Sequence, residues 1–297
     1  MTESLPISVL IAVKDEEKNI RKCLSALKPV LEVIIVDSHS ADDTANIAKE
    51  KFGATIVQFD YLGGYPKKRQ WALNKFEFKG DWILLLDADE VVPDELWEEI
   101  KVAIFSPVPC TGYMITKGFH FLGSRFRFGR FSHRAVILLK YGKGHFEELV
   151  EDSKNALDME VHERVIVDGK VGTLKTPLIH EDFKGLEAYI DRHNKYSTWE
   201  AMLRHSYLQS GQYGEATVKP KLFGNSQERR RFLKKIIVRM PFEPWLWFAY
   251  HYFFRLGLLE GRRGLIACQI RANYIAQVRA KMYELGFKSV GGEKRKR

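Results

Sequence analysis

Cysteine is scarce in this sequence of 297 residues. Its three cysteines, Cys23, Cys110 and Cys268, lie far apart without a CxxC spacing, which disfavours a zinc knuckle or redox pair and indicates a reducing compartment. Proline occupies only 10 positions, while hydrophobic residues make up 45% and charged residues 29%. This composition excludes disordered, collagen-like and low-complexity chains. The length fits one large domain, or one domain plus an appendage.

An export signal and a long uninterrupted apolar run are also missing. Residues 1–6 carry neither the basic stretch nor the apolar segment of a signal peptide, so we expect no export by that route. The aromatic stretch 241–259 is interrupted by Glu243, His251 and Arg255, whereas a membrane-spanning helix needs ~20 mostly apolar residues. We therefore expect a cytoplasmic chain whose aromatic stretch does not span a membrane.

Acidic residues are scarce in the C-terminal quarter. Residues 218–297 contain 19 Lys and Arg against 5 Asp and Glu, a net charge of +14, whereas residues 1–217 contain 28 against 33, a net charge of −5. Such a basic segment favours a polyanionic partner, either nucleic acid or an anionic membrane face. We place a domain boundary after residue 217.

The first half of the sequence alternates β-branched apolar runs with amphipathic segments. The apolar runs predict strands, and the segments between them have the apolar spacing of helices. Strands that alternate with helices form a mostly parallel sheet, so the predicted fold class is α/β. The predicted strands are Ile7–Val13, Val33–Asp37, Ala54–Phe59 and Trp82–Leu86, and the predicted helices are Glu17–Leu27, Asp42–Lys51, Lys67–Phe76 and Pro93–Phe105.

The middle of the chain changes to an apolar period of two. Short runs between residues 113 and 174 predict β-ribbon attached to the sheet, and the pair Asp168-Gly169 between valine-rich runs predicts a hairpin turn. From Leu186 onward the sequence predicts helix, with a polar hinge over Gly211–Gln227. The helical C-terminal region over residues 218–297 follows this hinge.

Two carboxylates, Asp87 and Asp89, stand at the carboxyl end of the apolar run Trp82–Leu86. In an open α/β sheet, ligands bind beyond the carboxyl ends of the strands. Carboxylates one residue apart in a turn can both face a divalent cation such as Mg²⁺ or Mn²⁺, which then bridges to a diphosphate. For this motif alone, the alternative is an acidic loop that caps the next helix.

Further acids follow two other predicted strands, which favours a shared site over a role in solubility. Asp37 ends the second strand, and an acidic cluster that includes Glu16 follows the first. In three segments, Ser8–Glu16, Val33–Thr44 and Gly80–Glu90, the sequence resembles the inverting family 2 glycosyltransferases of the GT-A fold. The resemblance covers roughly residues 6–185 and is greatest to the branch of lipopolysaccharide core and exopolysaccharide transferases. It implies a Rossmann-like GT-A domain that binds a nucleotide-sugar.

The resemblance also implies roles for residues at the three strand ends. Val13 and Glu16 are expected to lie along the nucleobase and ribose, and Asp37 to accept a hydrogen bond from the base. Asp87 and Asp89 are expected to hold the metal and the ribose-diphosphate side of the donor. A carboxylate accepts equally from the imide N–H of uracil and from the N1–H of guanine, so the base stays open, with a UDP-sugar preferred.

Three cations, Lys67, Lys68 and Arg69, begin the helix that precedes the Asp87 strand. Cations at this place could touch the diphosphate of a donor, and Arg69 is our candidate for that contact. An ordinary solvated helix face is the alternative.

A transferase needs a general base that deprotonates the acceptor hydroxyl. Glu163 is the candidate, because its segment Val-His-Glu-Arg resembles the His-Glu motif of this branch. The nearby acids that could take its role are Glu160, Glu181 and Asp182. The resemblance further implies that His180 completes the metal shell, where imidazole suits Mn²⁺. The alternatives are a Glu163 paired with Arg164 and a His180 satisfied by ordinary hydrogen bonds.

Aromatic residues are dense in the basic tail. Seven lie between Trp245 and Phe254, after the cations of residues 229–239. Tryptophan and tyrosine mixed with arginine and lysine are typical of a helix in the headgroup region of an anionic membrane. A buried aromatic core with a solvated basic rim, or an interface between two copies of the chain, is the alternative. Nucleic-acid binding is disfavoured because no recognised module accompanies the charge.

Taken together, the sequence predicts a metal-dependent inverting glycosyltransferase that uses Mn²⁺ or Mg²⁺. Its donor is a nucleotide-sugar, and its acceptor is a lipid-linked or other cell-envelope glycan at the inner face of the cell membrane. A nucleotidyltransferase also uses paired acids and metal, but it usually carries a Gly- and Lys-rich phosphate loop, which this sequence lacks. The alternative from another class is a non-catalytic membrane adaptor with a degenerate transferase fold, which predicts no metal-dependent turnover.

Overall fold

The computed structural model describes residues 4–107, 110–148, 158, 164–182, 184–210, 223, 236–237, 239–240 and 242–294. The described chain divides into two compact units. The first holds the described strands and the first four helices, and the second holds the later helices together with the loop Arg127–Arg130. The domain boundary after residue 217 falls outside the described residues and stays a prediction.

The first unit is built around a mixed sheet. The strands of this unit are β1 (Leu5–Val13), β2 (Val30–Asp37), β3 (Thr55–Gln58), β4 (Trp82–Asp87), β5 (Glu90–Val91), β6 (Gly112–Phe121), β7 (Ser124–Arg125), β8 (His133–Lys140), β9 (Gly144–Phe146), β10 (Val165–Val167), β11 (Val171–Thr173) and β12 (Leu178–His180). The mixed sheet has the order β3-β2-β1-β4-β8-β6-β12-β5, with β7 and β11 each paired to β6, and β9 and β10 form a second sheet. Because β1 pairs in parallel with both β2 and β4, their carboxyl ends share one edge. The predicted α/β class is confirmed.

The uninterrupted apolar runs of β1 and β4 fill two hydrophobic cores, one on each face of the sheet. Val9, Ile11 and Leu84 belong to the larger core, whereas their sequence neighbours Leu10 and Leu85 belong to the core on the other face. Alternate residues of a strand point to opposite faces. A strand covered on both faces therefore needs apolar residues at every position.

Four helices cover the sheet. They are α1 (Glu17–Ser25), α2 (Thr44–Asn46, continued by a π-helical turn Ile47–Lys51), α3 (Lys68–Lys75) and α4 (Asp94–Ile104). Each predicted helix is confirmed, with ends one or two residues shorter than expected. Asp42 stabilises the predicted start of α2, because one of its carboxylate oxygens accepts from the Thr44 backbone N–H at 3.1 Å. Its other oxygen accepts from the Glu17 backbone N–H at 3.0 Å. Asp42 thereby also holds the first turn of α1.

The predicted hairpin at Asp168-Gly169 is wrong. β10 pairs antiparallel with β9, whereas β11 pairs in parallel with β6. β10 and β11 do not pair with each other, because the backbone on either side of the turn forms hydrogen bonds with other segments. The Asp168 N–H donates to the Lys143 carbonyl at 2.8 Å, and the Lys170 carbonyl accepts from the Thr111 N–H at 2.8 Å. The Asp-Gly pair therefore connects strands in two different sheets.

The second unit is helical, as the sequence from Leu186 onward predicts. It contains α5 (Leu186–Ser210), α6 (Glu243–Ala249, continued by a π-helical turn Tyr250–Phe254), a 3₁₀ turn (Gly257–Glu260) and α7 (Gly261–Lys294). Its small core joins α5 and α7 through Ala201, Ile275 and Val278. Arg204 of α5 pairs with Glu200 and, through two hydrogen bonds of 2.9 Å, with Glu243 of α6. This buried ion network connects α5 to α6.

The aromatic residues of the second unit divide between interior and surface. Trp247 stacks on His251 with ring centroids 3.8 Å apart and packs on the small core. In contrast, Trp245 is 75% exposed and Phe254 is 78% exposed. Within the described part of the chain, no helix is both long enough and apolar enough to cross a membrane.

Candidate functional site

Asp37 ends β2 at the edge that the parallel strands share, and it is 1% exposed. Its carboxylate accepts hydrogen bonds from the Ser40 hydroxyl at 2.5 Å, the Ser40 backbone N–H at 3.1 Å and the Gln58 amide at 3.1 Å. These bonds hold the turn after β2. The Ser40 N–H also lies 3.2 Å from the second oxygen, so each oxygen of Asp37 already accepts two hydrogen bonds.

The end of β1 is tied to the start of α3. The carbonyl of Val13 accepts from Lys68 Nζ at 2.8 Å, and the same ammonium lies 3.1 Å from the Asp158 carboxylate. Asp158 also accepts from the Ser38 hydroxyl at 2.6 Å. Burial lowers the pKa of Lys68, although Asp158 opposes that shift. The ammonium thus bridges the backbone of β1 and an acid from the middle of the chain.

Glu16 lies directly after β1 and is mostly buried. Its carboxylate accepts from Lys184 Nζ at 2.5 Å and from the Asn19 amide at 2.8 Å. Burial raises the pKa of Glu16 to about 7, even though Lys184 and Asn19 both favour the charged form. At neutral pH this group therefore exchanges a proton readily.

Asp87 ends β4 between two cations. It pairs with the Arg69 guanidinium, and its other oxygen lies 2.7 Å from Lys117 Nζ. Burial alone raises the pKa of Asp87, but Arg69 and Lys117 outweigh it and hold that pKa well below its usual range. Asp87 is therefore ionised across the physiological range.

Lys117 also pairs with Glu90, three residues after Asp87. Its Nζ lies 2.6 Å from Oε1 of Glu90, while Oε2 of Glu90 accepts from the Asp87 backbone N–H at 2.9 Å. Glu90 is 0% exposed, and burial raises its pKa despite Lys117. One lysine thus holds both Asp87 and Glu90.

Asp89 lies beside His180, as the sequence predicts for a shared site. β12 pairs antiparallel with β5, so that His180 is opposite Glu90, and the Glu181 N–H donates to the Asp89 carbonyl at 3.0 Å. His180 Nε2 lies 3.2 Å from Asp89 Oδ2. Burial lowers the pKa of His180, but Asp89 outweighs it and raises that pKa to about 9.

The donor atoms of Asp89 and His180 form a pair rather than a closed cage. Among the described residues, no three His, Cys, Asp or Glu side chains are grouped so as to hold a metal ion. Mg²⁺ is usually bound by one or two carboxylates while substrate phosphates and waters fill its other positions. One carboxylate and one imidazole, which must lose its proton to bind a metal, therefore fit a cation that arrives with a diphosphate and fills its open positions with phosphate oxygens.

The structure brings most of the predicted site residues to one edge of the sheet. These are Val13, Glu16, Asp37, Arg69, Asp87, Asp89 and His180. The alternative of a solvated helix face is wrong for the start of α3, because Lys67 and Lys68 are 1% exposed and Arg69 is 8% exposed. Glu163 and Glu160 lie outside the described residues. Glu181 and Asp182 are described, and Asp182 accepts from Asn19 at 3.0 Å.

Sequence reasoning missed three members of this edge, Lys117, Asp158 and Lys184. Lys117 had a detectable signal, since it is a lone charge within the apolar run of β6. Asp158 and Lys184 had no such signal, because neither is part of a motif. Each contacts a residue more than fifty positions away in sequence, Lys68 and Glu16 respectively.

Comparisons with known proteins bear on the family and the fold of this chain. The family model described as Glycosyl transferase family 2 matches residues 8–117, a range that contains Asp37, Asp87 and Asp89. The lipopolysaccharide core biosynthesis glycosyltransferase LpsC of Rhizobium meliloti is 28% identical over 290 residues, which cover 96% of this chain and 94% of LpsC. The similarity to LpsC thus extends beyond the matched domain.

Two further comparisons cover different extents of the chain. An uncharacterized glycosyltransferase of Rickettsia typhi, RT0209, is 38% identical over 96 residues, or 32% of each chain. The mannosyltransferase PcManGT of Pyrobaculum calidifontis, solved in complex with GDP-Man and Mn²⁺, is 13% identical with a TM-score of 0.50, and the match covers 95% of this chain and 88% of that one. This likeness bears on the fold, which is that of the GT-A enzymes.

Proposed function

This chain is a glycosyltransferase with a family 2 domain, and we propose that it moves a sugar from a nucleotide-sugar to an acceptor hydroxyl with inversion of the anomeric centre. One observation carries the proposal: Asp89 and His180 lie 3.2 Å apart at the strand end where Asp87 contacts Arg69 and Lys117. Acids for a metal and cations for a diphosphate thus meet where an open α/β sheet binds its ligands.

We assign the nucleoside to the ends of β1 and β2. Asp37 is the acceptor for a base N–H, which would replace one of the bonds that its two oxygens now receive from Ser40 and Gln58. Val13 and Glu16 lie along the neighbouring strand end, where they reach the base and the ribose. The preferred donor is a UDP-sugar, and a GDP-sugar offers a similar N–H donor.

We assign the diphosphate to Asp87, Asp89 and their cationic neighbours. Asp89 and His180 are the residues that hold Mn²⁺ or Mg²⁺, a cation that when bound offsets charge on the nucleoside diphosphate leaving group. Arg69 now pairs with Asp87, and its guanidinium matches phosphate geometry as well as it matches carboxylate geometry. Arg69 can therefore orient the diphosphate from the start of α3.

We assign the acceptor proton to Glu163, whose carboxylate acts as the general base for the attacking hydroxyl. The support is the sequence motif around it. Of the described alternatives, Glu181 faces Lys22 at 3.5 Å and Asp182 binds Asn19 and the Lys184 backbone. These contacts occupy both acids and favour Glu163.

The acceptor in this proposal is a lipid-linked or other cell-envelope glycan. The alignment with LpsC over nearly the whole of both chains supports an envelope acceptor. The basic, aromatic tail supports a peripheral position on the inner face of the cell membrane, where such acceptors are assembled. Pairing of two copies through the tail is the competing role for that region.

Ligand-induced stabilisation tests the donor assignment. We expect a matched nucleotide-sugar together with Mn²⁺ to raise the melting temperature more than either alone, because a ligand that binds only the folded state stabilises it. UDP-, GDP- and dTDP-sugars, each with and without Mn²⁺, identify the base. If no sugar nucleotide shifts the melting temperature in the presence of metal, the proposed function is wrong.

A further inference from the structure

One face of α6 and its π-helical continuation is exposed, and the ring contacts of its Tyr250 and Phe253 are with neighbouring residues of the same segment. We call it the apolar stripe: Phe242, Trp245, Leu246, Tyr250, Phe253 and Phe254, which are 40–80% exposed, roughly, at the spacing of one helix face. Two other residues of the helix are directed inward, since Glu243 pairs with Arg204 and Trp247 packs on the core. The segment is therefore amphipathic, and the stripe extends over about 18 Å.

An open cavity of about 400 Å³ continues the stripe at its C-terminal end. Its walls are the loop Arg127–Arg130 and the turn Phe254–Leu256. Hydrogen bonds fix these walls together, from the Gly129 N–H to the Arg255 carbonyl at 2.9 Å and between His251 Nδ1 and the Gly129 carbonyl at 2.7 Å. The two walls are thus joined by one backbone hydrogen bond and one from the His251 side chain.

Three exposed arginines, Arg127, Arg130 and Arg255, line the cavity, and we call them the basic rim. Within the described ranges, none of the three forms an ion pair. The nearest acid in sequence to Arg255 is Glu260, whose Oε1 accepts from the backbone N–H groups of Arg127 and Phe128 at 2.6 and 2.7 Å. That carboxylate therefore secures the loop.

The positive charge of the rim acts on its neighbour. Burial lowers the pKa of His251, and Arg271, Arg130 and Arg255 lower it further, against the Gly129 carbonyl, which raises it. All three of these charged neighbours are cations. A field of this sign favours an anionic ligand.

Backbone strain coincides with the same walls. Arg130 has a φ of 56° and Leu256 a φ of 60°, left-handed values that non-glycine residues seldom adopt. Such strained residues cluster at binding sites, because the surrounding structure must hold them in place. Two of the residues that line the cavity therefore have strained backbone conformations, which the bonds of Gly129 to Arg255 and His251 help to hold.

We propose that the basic rim and the apolar stripe together dock on an anionic phospholipid surface, with headgroup phosphates in the cavity and the stripe at the boundary between headgroups and acyl chains. Guanidinium groups bind phosphate through charge-assisted hydrogen bonds, and exposed aromatic residues suit the interface. A second copy of the chain is a poorer occupant, because a two-fold interface brings like patches together and opposes the arginines of one rim to those of the other. This inference deepens the proposed membrane association by naming its binding residues.

Vesicle sedimentation tests the basic rim. The full chain is mixed with phosphatidylcholine vesicles that contain none or about 30 mol% phosphatidylglycerol. We expect binding only to the anionic vesicles, weakened by salt. The triple variant Arg127→Gln, Arg130→Gln, Arg255→Gln is expected to lose about 10²-fold in partition coefficient, since each cation near such a surface contributes about 1 kcal/mol. Far-ultraviolet circular dichroism and the melting temperature establish that the variant is folded.

A control variant distinguishes the effect of the basic rim from the effect of a lower net positive charge. Arg21, Lys49 and Lys51 are exposed cations of the first unit, and changing all three to Gln removes the same charge. We expect this variant to bind vesicles within about twofold of the wild type and to retain its basal activity. An equal loss in both triple variants, or wild-type binding by the rim variant, overturns the proposal.

The stripe is tested by Trp245→Ala with Phe254→Ala, against the control Val102→Ala in α4 with Phe105→Ala directly after α4. Because the four side chains are exposed, none of these changes removes a core contact. We expect the stripe variant to lose about tenfold or more in partition coefficient and the α4 variant to lose almost nothing. Equal binding by the two variants, or a wild-type dimer that ignores anionic vesicles and dissociates in the stripe variant, overturns the membrane as the occupant.

Wild-type turnover without vesicles keeps this inference separate from the proposed function. Donor consumption with a short soluble acceptor is measured on the same preparation. If vesicle binding follows the rim and the stripe while no sugar nucleotide is consumed, the proposed function fails and the docking surface stands. If sugar is transferred but anionic vesicles are ignored, the docking surface is wrong and the proposed function stands.

Discussion

Three carboxylates at the edge of the sheet are buried or partly buried and pair with particular cations. Asp87 and Glu90 share Lys117, whereas Glu16 has Lys184. An acid that loses such a partner keeps the cost of desolvation without the compensating attraction. The stability of the first unit should therefore respond to these cations individually.

We predict that Lys117→Met lowers the free energy of unfolding by about 3–5 kcal/mol, the cost of leaving a buried charge unpaired. The lysine side chain is 13% exposed and serves two acids. Urea denaturation of the variant and of Lys140→Met, an exposed lysine at the end of β8, measures the difference. Equal losses in the two variants contradict the assigned role of Lys117.

Glu16 should make stability depend on pH. Burial raises its pKa from 4.5 to about 7, so the folded state binds this proton more tightly than the unfolded state does. Its contribution is fully present below about pH 4.5 and is lost as the pH rises through 7, with a size of about 3 kcal/mol. A glutamine cannot titrate, so Glu16→Gln should remove this dependence.

The check is the melting temperature of wild type and Glu16→Gln at about pH 5 and pH 8. We expect the wild type to lose stability relative to the variant as the pH rises. Glu17→Gln changes an exposed neighbour and should show no such trend. If the melting temperatures of the wild type and Glu16→Gln differ by the same amount at both pH values, the raised pKa of Glu16 is ruled out.

We predict that Glu163→Gln binds donor and metal as the wild type does but transfers sugar about 10²–10⁴-fold more slowly, the range for loss of a general base. Glutamine keeps the size of the side chain and cannot take the proton. Initial rates and donor affinity are measured together, with Glu160→Gln as the matched control. An unchanged rate in Glu163→Gln moves the role to Glu160, Glu181 or Asp182.

At the residue level, the acids were predictable and most of their partners were not. Asp37, Asp87 and Glu16 follow apolar runs, and parallel strands place their ends at one edge. Lys184 and Asp158 reach the same edge from distant segments with no motif around them. The apolar pattern of a strand predicts which residue ends the strand at the edge of the sheet. It does not predict which side chain from a distant segment contacts that residue.

Elements bring Asp89 to His180. β12 lies between β5 and β6, parallel to β6 and antiparallel to β5. The period of two in this region predicts strands but not their partners, which is also why the Asp168-Gly169 hairpin was wrong. Any strand can pair on either of its two sides, so the partners of strands that are far apart in sequence depend on how the whole sheet assembles.

Gly118 in β6 allows β12 to approach. A Cβ at this position lies 2.7 Å from the carbonyl oxygen of Leu178, so alanine must push β12 away and with it His180. We predict that Gly118→Ala lowers the free energy of unfolding by about 1–3 kcal/mol. We also expect its Mn²⁺ affinity to fall by more than this loss of stability accounts for. Thermal melts with and without Mn²⁺ measure both effects.

Gly286 in α7 provides the control. A Cβ there meets only His205, at 3.8 Å, and alanine favours a helix over glycine by about 0.5–1 kcal/mol. Gly286→Ala should leave stability equal or higher and Mn²⁺ affinity unchanged. If Gly118→Ala also keeps wild-type Mn²⁺ affinity, β12 does not position a metal ligand.

For the whole molecule, the division of charge corresponds to a division of tasks. The chain carries −5 over residues 1–217 and +14 over residues 218–297. The proposed donor site lies in the first unit, and the basic rim and apolar stripe lie in the second. The charge division could be counted from the sequence, but the inclusion of Arg127 and Arg130 in the second unit could not, because those arginines come from the middle of the chain.

The rate of sugar transfer by Asp89→Asn, compared with Asp94→Asn, tests the central claim most directly. Asp89 lies beside His180 at the edge of the sheet, whereas Asp94 is an exposed acid at the start of α4 that pairs with Lys28. With saturating nucleotide-sugar and Mn²⁺, we expect Asp89→Asn to lose at least about 10²-fold in rate while keeping its melting temperature. Asp94→Asn should transfer sugar at the wild-type rate. Wild-type turnover by Asp89→Asn would contradict the account.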